Sequence, residues 1–248
     1  MQTLRSQVIC ASEPCSCNLK VLTTGVDVLA NILGGLRCGG FAVVRGSRMC
    51  HVLSELLCVR CQLPDGMGGV GSSAVFVDGG NLFDPYLASE VSLLLGLEPE
   101  TALSNIWVSR AFTSHQMTAL LTERLCEILN REGSRLVVVS DIAELYCDLD
   151  IGVLEAKRTF NNVTCFLWNL AREKRLLAVS TSLASRERRK RQLEHYLLGR
   201  ADVVVRVDEG NAHLQLTLEK HPSEPPFSMD LCFDESVNHS LLEDYLEA

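Results

Sequence analysis

The chain has 248 residues, 47% of them hydrophobic, with a formal charge of −8 and a pI near 5.3. That length suits one large α/β domain or two small ones, with a sizeable buried core. The acidic balance excludes a uniformly basic nucleic-acid coat, though not a local basic patch, and no apolar run approaches a membrane span. The 11 cysteines fall in apolar runs (Cys126, Cys147, Cys165, Cys232) as often as in loops. Reduced, buried thiols fit that placement better than a disulfide frame, and no secretory signal pattern is visible, so a cytoplasmic location is expected.

Residues 1–20 lack periodicity and read as an extended N-terminal arm. They carry Cys10, Cys15 and Cys17, whose spacing with Cys38 or His51 fits no zinc or cluster pattern. From Thr23 to Leu36, apolar residues recur at helical spacing behind a threonine cap and stop at Gly34 and Gly35. A strand is expected at Phe41–Val44, a turn at Gly46 and a helix from about His51 to Gln62. Pro64 to Ser73 is a glycine-rich loop. Ala74–Asp78 is an apolar strand ending in an acid, Pro85–Leu95 an amphipathic helix, and 105–112 contains another strand. A long helix over Ser114–Arg131 keeps Met117, Leu120, Leu121, Leu125 and Ile128 on one face. Then follow a strand at Arg135–Val139, a helix at Val153–Lys174 and a strand at Leu176–Ser180. A charged helix or loop covers Ser185–Leu198, and paired strands at Ala201–Val207 and His213–Leu218 turn at Glu209-Gly210-Asn211. The pattern predicts an α/β fold: a mostly parallel central sheet flanked by helices, extended by a C-terminal β-hairpin. The core domain is expected over 21–235, with an acidic tail at 236–248.

Phe41 to Cys61 has the strand–turn–helix frame of a phosphate-binding loop, without the G-x-x-x-x-G-K-[ST] run. Arg45 and Arg48 flank the turn and carry the only positive charge there. Arg45, Gly46, Ser47 and Arg48 are therefore candidate nucleotide residues. Asp78 and Asp141 join them, because ligands of open parallel sheets bind at the strands' C-terminal ends. Asp78 has a plainer role open to it, capping the tight turn at Gly79-Gly80-Asn81. Cys58 and Cys61 have redox spacing but lie along a helix rather than at its N-terminus, which favours buried thiols. Arg186-Glu-Arg-Arg-Lys-Arg191 is the one strong basic cluster, with Arg200 and Arg206 beyond it. It reads either as phosphate contacts for single-stranded DNA or as a solvated helix face with Glu187 and Glu194 as partners. Tyr196 alone is near for stacking.

Four segments, in order, resemble the RadA/RecA recombinase core and its KaiC-like relatives. Leu22-Thr-Thr-Gly-Val-Asp-Val-Leu-Ala-Asn-Ile-Leu-Gly-Gly-Leu36 is similar to that family's entry helix. Val75-Phe-Val-Asp-Gly-Gly-Asn-Leu-Phe-Asp-Pro-Tyr86 resembles its second core strand and turn. Asn105-Ile-Trp-Val-Ser-Arg-Ala-Phe-Thr-Ser-His-Gln116 resembles an N-I-x-V-x-R-A-F-x-x-x-Q stretch, and Arg135-Leu-Val-Val-Val-Ser-Asp141 the Walker B strand. The resemblance covers about Leu22 to Phe233 and implies a RecA-like P-loop NTPase fold in a short, RadB-like or KaiC-like paralog, without a helix–hairpin–helix domain in front.

Against that pattern, the P-loop lysine position falls on Cys50 and the Ser/Thr position on His51, in a loop about two residues short. The catalytic glutamate position falls on Gly80 and the sensor on Thr181-Ser182. The Walker B aspartate position falls on Ser140, with Asp141 one residue late, a step that turns a strand side chain to the other face. Phosphoryl transfer needs charge near the β/γ oxygens, a held Mg²⁺ and an oriented water. With those parts absent or displaced, the expectation is a pseudo-ATPase with no catalytic residue, no cofactor and no metal; ATP with Mg²⁺, held through Arg45 or Arg48, is the alternative.

The family's second DNA loop follows the fourth strand, so Arg186, Arg188, Arg189, Lys190 and Arg191 are expected DNA contacts. Lys220, in Glu219-Lys-His-Pro222, is expected at an interface, where the family meets an adjacent subunit's nucleotide. Arg110 and Phe112 are expected to serve the fold, in an ion pair and in the core. The function implied is an accessory factor in DNA recombination and repair. Its partners would be single-stranded DNA, a RadA-type recombinase or another paralog, with oligomerisation open and no membrane. The alternatives are a KaiC-like regulatory module acting through protein contacts, or a residual ATP-binding, DNA-dependent ATPase.

Overall fold

The computed structural model describes residues 21–22, 36–210 and 213–232. The expected arm, the entry helix from Thr23 and the acidic tail lie outside the described residues. Val21–Leu22 (β1) and Leu36–Arg37 (β2) pair antiparallel in a small separate ladder. The main sheet has eight strands in the order β10-β9-β8-β3-β7-β6-β4-β5. Its parallel part comprises Phe41–Gly46 (β3), Ala74–Asp78 (β4), Ile106–Arg110 (β5), Leu136–Ser140 (β6), Leu177–Leu183 (β7) and Val203–Glu209 (β8). His213–Lys220 (β9) and Phe227–Cys232 (β10) continue it antiparallel. This is the α/β arrangement that the resemblance implies.

Side-chain alternation divides the core in two. Ala42, Val44, Phe76, Val138 and Val179 face Met49–Arg60 (α1), Pro85–Leu94 (α2) and Pro99–Ser104 (α3). Phe41, Val43, Val75, Val77, Val137 and Val139 face the opposite layer. That layer consists of Ser114–Ala119 (α4), Leu125–Glu132 (α5), Val153–Lys174 (α6) and Arg188–Arg200 (α7). The central strands are buried on both faces, which is why they read as continuous apolar runs. Local signals fix the helix starts: the Asp84 carboxylate accepts from the N–H groups of Tyr86 and Leu87, with Pro85 in the first turn of α2. Thr113 Oγ1 accepts from Gln116 N–H while Gln116 Oε1 accepts from Phe112 N–H, a reciprocal cap on α4.

Three details differ from the sequence expectation. The long helix over 114–131 is interrupted by a π-helical stretch at Leu120–Arg124. The short helix α3 was hidden behind Pro99. The terminal hairpin is a three-stranded meander, because Phe227, Met229 and Leu231 alternate with polar residues and pair with β9. Among the described residues no helix is long and apolar enough to cross a membrane.

Candidate functional site

The corner between β3 and α1 is closed by the chain's own acceptors. β3 runs to Gly46 and α1 begins at Met49, two residues earlier than its expected start. Gly46 has φ +123° and lies flat against β8, where a Cβ would stand 2.1 Å from the Val207 carbonyl oxygen. Only glycine fits such an approach. Beyond it, Ser47 N–H donates to Val207 O at 2.8 Å, Cys50 N–H to Ser47 O at 3.2 Å and His51 N–H to Arg48 O at 2.9 Å. Met49 N–H donates to the Glu209 carboxylate at 3.1 Å. A carboxylate is thus seated where the positive end of the α1 dipole favours an anion. Sequence reading missed Glu209: it lies at the far end of β8, and only the β3–β8 register brings it to α1.

The candidate basic groups divide between inside and outside. Arg45 shares the face of Phe41 and Val43, away from α1, which follows from strand alternation. Its Nε and Nη2 donate to Glu219 at 2.9 and 3.1 Å, and Nη1 lies 3.2 Å from Glu194. It therefore does not flank the turn as expected. Arg48 is exposed at the start of α1. Cys50, where the sequence resemblance puts the lysine position, is fully buried, and burial, with Asp141 second, pushes its thiol up to about 12. It carries no charge at neutral pH.

The two strand-end acids are also engaged. Asp78 accepts from the Ser140 hydroxyl at 2.9 Å and from the N–H groups of Leu82 and Phe83 at 3.0 to 3.2 Å. Arg110 Nε stands 3.5 Å from it. Asp78 thus caps the turn after β4, and Gly79 lets that turn pass 2.9 Å from the Ser140 carbonyl oxygen at the Cβ position. Asp141 sits just past β6 with φ +35°. Its carboxylate turns to the opposite layer, accepting from Leu183 N–H at 3.2 Å and from Lys190 Nζ at 2.9 Å. Lys190 also donates to Glu144 at 2.6 Å. Burial works against that ammonium, but the two carboxylates outweigh it and hold its pKa above the ordinary lysine value.

His51 and Glu55 lie one turn apart on α1, both buried. Burial lowers the His51 pKa to about 4 and raises that of Glu55 to about 8. The Thr181 hydroxyl accepts from Asp141 N–H at 2.8 Å and meets His51 Nδ1 at 3.2 Å, which fits a neutral ring with its proton on Nε2. Among the described residues Nε2 has no hydrogen-bond partner, and neither do the buried hydroxyls of Ser47, Ser180 and Ser182.

In the basic cluster, Arg186, Arg188 and Arg191 are exposed. Arg189 is half-buried and donates to the Ile151 carbonyl at 2.8 Å. Lys190 is a correction to the expected DNA-contact set, because its ammonium is buried in the Asp141–Glu144 pair. The expected local partner Glu194 instead faces Arg45. Arg200 donates to Asn161 at 2.8 Å, and Arg206 pairs with Asp208 at 2.7 Å. Lys220 is exposed and reaches the Leu198 and Gly199 carbonyls at the end of α7 at 3.4 and 3.3 Å.

Phe112 does not pack as core; it is 70% exposed. Its strand ends at Arg110, and the α4 cap turns the chain outward immediately beyond. Cys58 and Cys61 are fully buried, and Cys61 Sγ donates to the Cys58 and Ser72 carbonyls. No group of three or more His, Cys, Asp or Glu side chains able to hold a metal occurs among the described residues. The N-terminal cysteines lie outside them.

Comparison with known proteins agrees with this architecture. A family model described as Rad51 matches residues 5–183. The chain is 28% identical over 149 residues to DNA repair protein RAD51 of Saccharomyces cerevisiae, covering 57% of this chain and 33% of that protein. It is 31% identical over 134 residues to DNA repair and recombination protein RadA of Aeropyrum pernix, covering 51% and 40%. It is 36% identical over 125 residues to meiotic recombination protein DMC1 of Saccharomyces cerevisiae, covering 49% and 37%. The chain spans 33% to 40% of the length of these relatives. A family model matched over well more than half of the chain makes this chain a member of the Rad51 family.

Proposed function

We propose that this chain is an accessory member of its family in DNA recombination and repair, acting by binding DNA, a recombinase or both, without hydrolysing ATP. The observation that carries the reading is the Glu209 carboxylate on the α1 N-terminus. The amides of Ser47, Met49, Cys50 and His51 all donate to acceptors of the chain itself. A phosphate-binding loop works by aiming such donors at phosphate oxygens, with a lysine to match the charge. Here the carboxylate of Glu209, an exposed residue of the same chain, takes the anion's place, and Lys190 lies against the strand-end acid Asp141. Both halves of a nucleotide–metal pair thus have side-chain counterparts. Under this reading the corner is a structural joint, and neither ATP nor Mg²⁺ is required.

Support for a DNA contact comes from Arg186, Arg188 and Arg191, three exposed guanidinium groups at the start of α7 on an otherwise acidic chain. Their contribution is electrostatic and therefore salt-dependent. The family comparison supports the recombinase partner, since the relatives are recombination and repair proteins by name. The test has two arms on purified chain. ATP turnover with single-stranded DNA should stay at background. An oligonucleotide or a RadA-type recombinase should be retained by the wild type, and the oligonucleotide less so by the triple variant R186E/R188E/R191E. Turnover above background defeats the non-catalytic reading, and retention of neither partner defeats the accessory role.

A further inference from the structure

An open cleft lies at the C-terminal ends of β5 and β6, with a volume of about 460 Å³. Phe112, Leu145, Cys147 and Leu149 form its apolar walls, and Glu144, Asp148 and Glu187 its acidic ones. Phe112 is 70% exposed and Leu149 is 90% exposed. Val153 and Leu154, which open α6 just beyond, are also exposed. Scattered exposed apolar residues are ordinary, but Phe112 and Leu149 both line one concavity, and such grouping favours an interaction surface.

Charge decides what kind of partner fits. From Asp141 to Ala156 the chain carries Asp141, Glu144, Asp148, Asp150 and Glu155 and no lysine or arginine. Lys190 neutralises part of this, through Asp141 and Glu144. Asp148 and Glu187, which line the cleft, remain exposed. A nucleic-acid strand seated in the cleft would bring phosphates against carboxylates, whereas a cationic chain would gain on both counts.

We propose that this cleft is a protein-docking site for a segment that inserts an aromatic or long aliphatic side chain between Phe112 and Leu149 and flanks it with lysine or arginine. The apolar anchor supplies the affinity, as buried anchors do at small interfaces. The acidic rim sets specificity and association rate rather than bulk affinity. The site adjoins the arginine cluster at Glu187, yet it needs neither nucleotide nor DNA, so it stands independently of the proposed function.

The test uses a phage-displayed random dodecapeptide library panned on the full chain, followed by fluorescence anisotropy of the enriched peptides. The expected consensus is one aromatic or aliphatic anchor with basic flanks. Leu149→Glu and Phe112→Ser should each weaken such a peptide tenfold or more. Both side chains are exposed, so the variants should fold; thermal melts superimposable on wild type check this. The double variant D148K/E187K should shift the selected flanks from basic to acidic, a change no general loss of folding would produce. Three outcomes overturn the proposal: a library without that consensus, peptide affinity indifferent to Leu149→Glu and Phe112→Ser, or a single-stranded oligonucleotide whose affinity those two substitutions reduce instead.

Discussion

The corner at Gly46–His51 and the cleft at Phe112–Leu149 stand at the same edge of one sheet and differ in how they meet water. In the corner, Glu209, Val207, Thr181 and Lys190 supply internal partners to backbone amides and to Asp141. In the cleft, the large apolar side chains of Phe112 and Leu149 are exposed. The contrast teaches that the strand ends of one sheet can be completed in two distinguishable ways. Internal partners can take the ligand's place and make it a stabilising joint, or a surface can stay open and await an external partner. Substitutions separate the two, because the joint is sensitive through stability and the cleft through binding.

The largest expected effect is at Lys190. Lys190→Met leaves Asp141, which is 3% exposed, without its cation. Removing one member of a buried pair costs about 3–5 kcal/mol. Urea denaturation should read a loss of that order, and Asp141→Asn in the same chain should recover part of it. A loss below about 1 kcal/mol would mean that the pair is not a structural joint.

Next come the two buried titratable groups of α1, whose signs oppose. His51 has its pKa lowered from 6.5 to about 4 by burial, so its contribution is complete above pH 6.5 and is lost as the pH falls toward 4. Glu55 has its pKa raised from 4.5 to about 8, so its contribution is complete below pH 4.5 and is lost as the pH rises toward 8. Each is worth up to a few kcal/mol, at about 1.4 kcal/mol per pKa unit. His51→Gln should flatten the acid limb of the stability profile and Glu55→Gln the limb toward pH 8. If both variants keep the wild-type profile, the burial assigned to this helix face is wrong.

Glu209→Gln keeps the shape and an acceptor but removes the charge at the α1 N-terminus. The expected loss is about 1 kcal/mol, shrinking with added salt. The smallest effect belongs to the cleft: Phe112→Ser and Leu149→Glu should change stability by no more than about 0.5 kcal/mol. A loss several times larger would place these residues in the folding core and collapse the contrast.

Much of this was legible in the sequence, for identifiable reasons. The buried parallel strands announce themselves as apolar runs, and the Asp84-Pro85 start of α2 is a local signal. The turn of Asp141 to the other face is expected from the two-residue period of a strand, although Asp141 stands just past β6 at φ +35°. What escaped were features set by long-range register. Glu209 reaches α1 only because β8 pairs with β3. Arg45 is drawn to Glu219 and Glu194, over a hundred residues away in sequence. Lys190 sits inside an arginine run and looks like surface until α7 is laid against Asp141. Phe112 was misread because an aromatic beside an apolar strand usually points inward. The strand β10 was legible in the alternation of Phe227, Met229 and Leu231, which the acidic residues after it obscured.

The central claim is that the chain's own groups complete the phosphate corner, and isothermal titration of the purified chain with ATP and Mg²⁺ tests it most directly. No heat of binding is expected at millimolar nucleotide, for wild type or for Glu209→Gln, since on the proposed reading removing the carboxylate supplies neither a lysine nor a longer loop. A saturable heat in wild type, abolished by substitution at Arg48 or Ser47, would contradict the account.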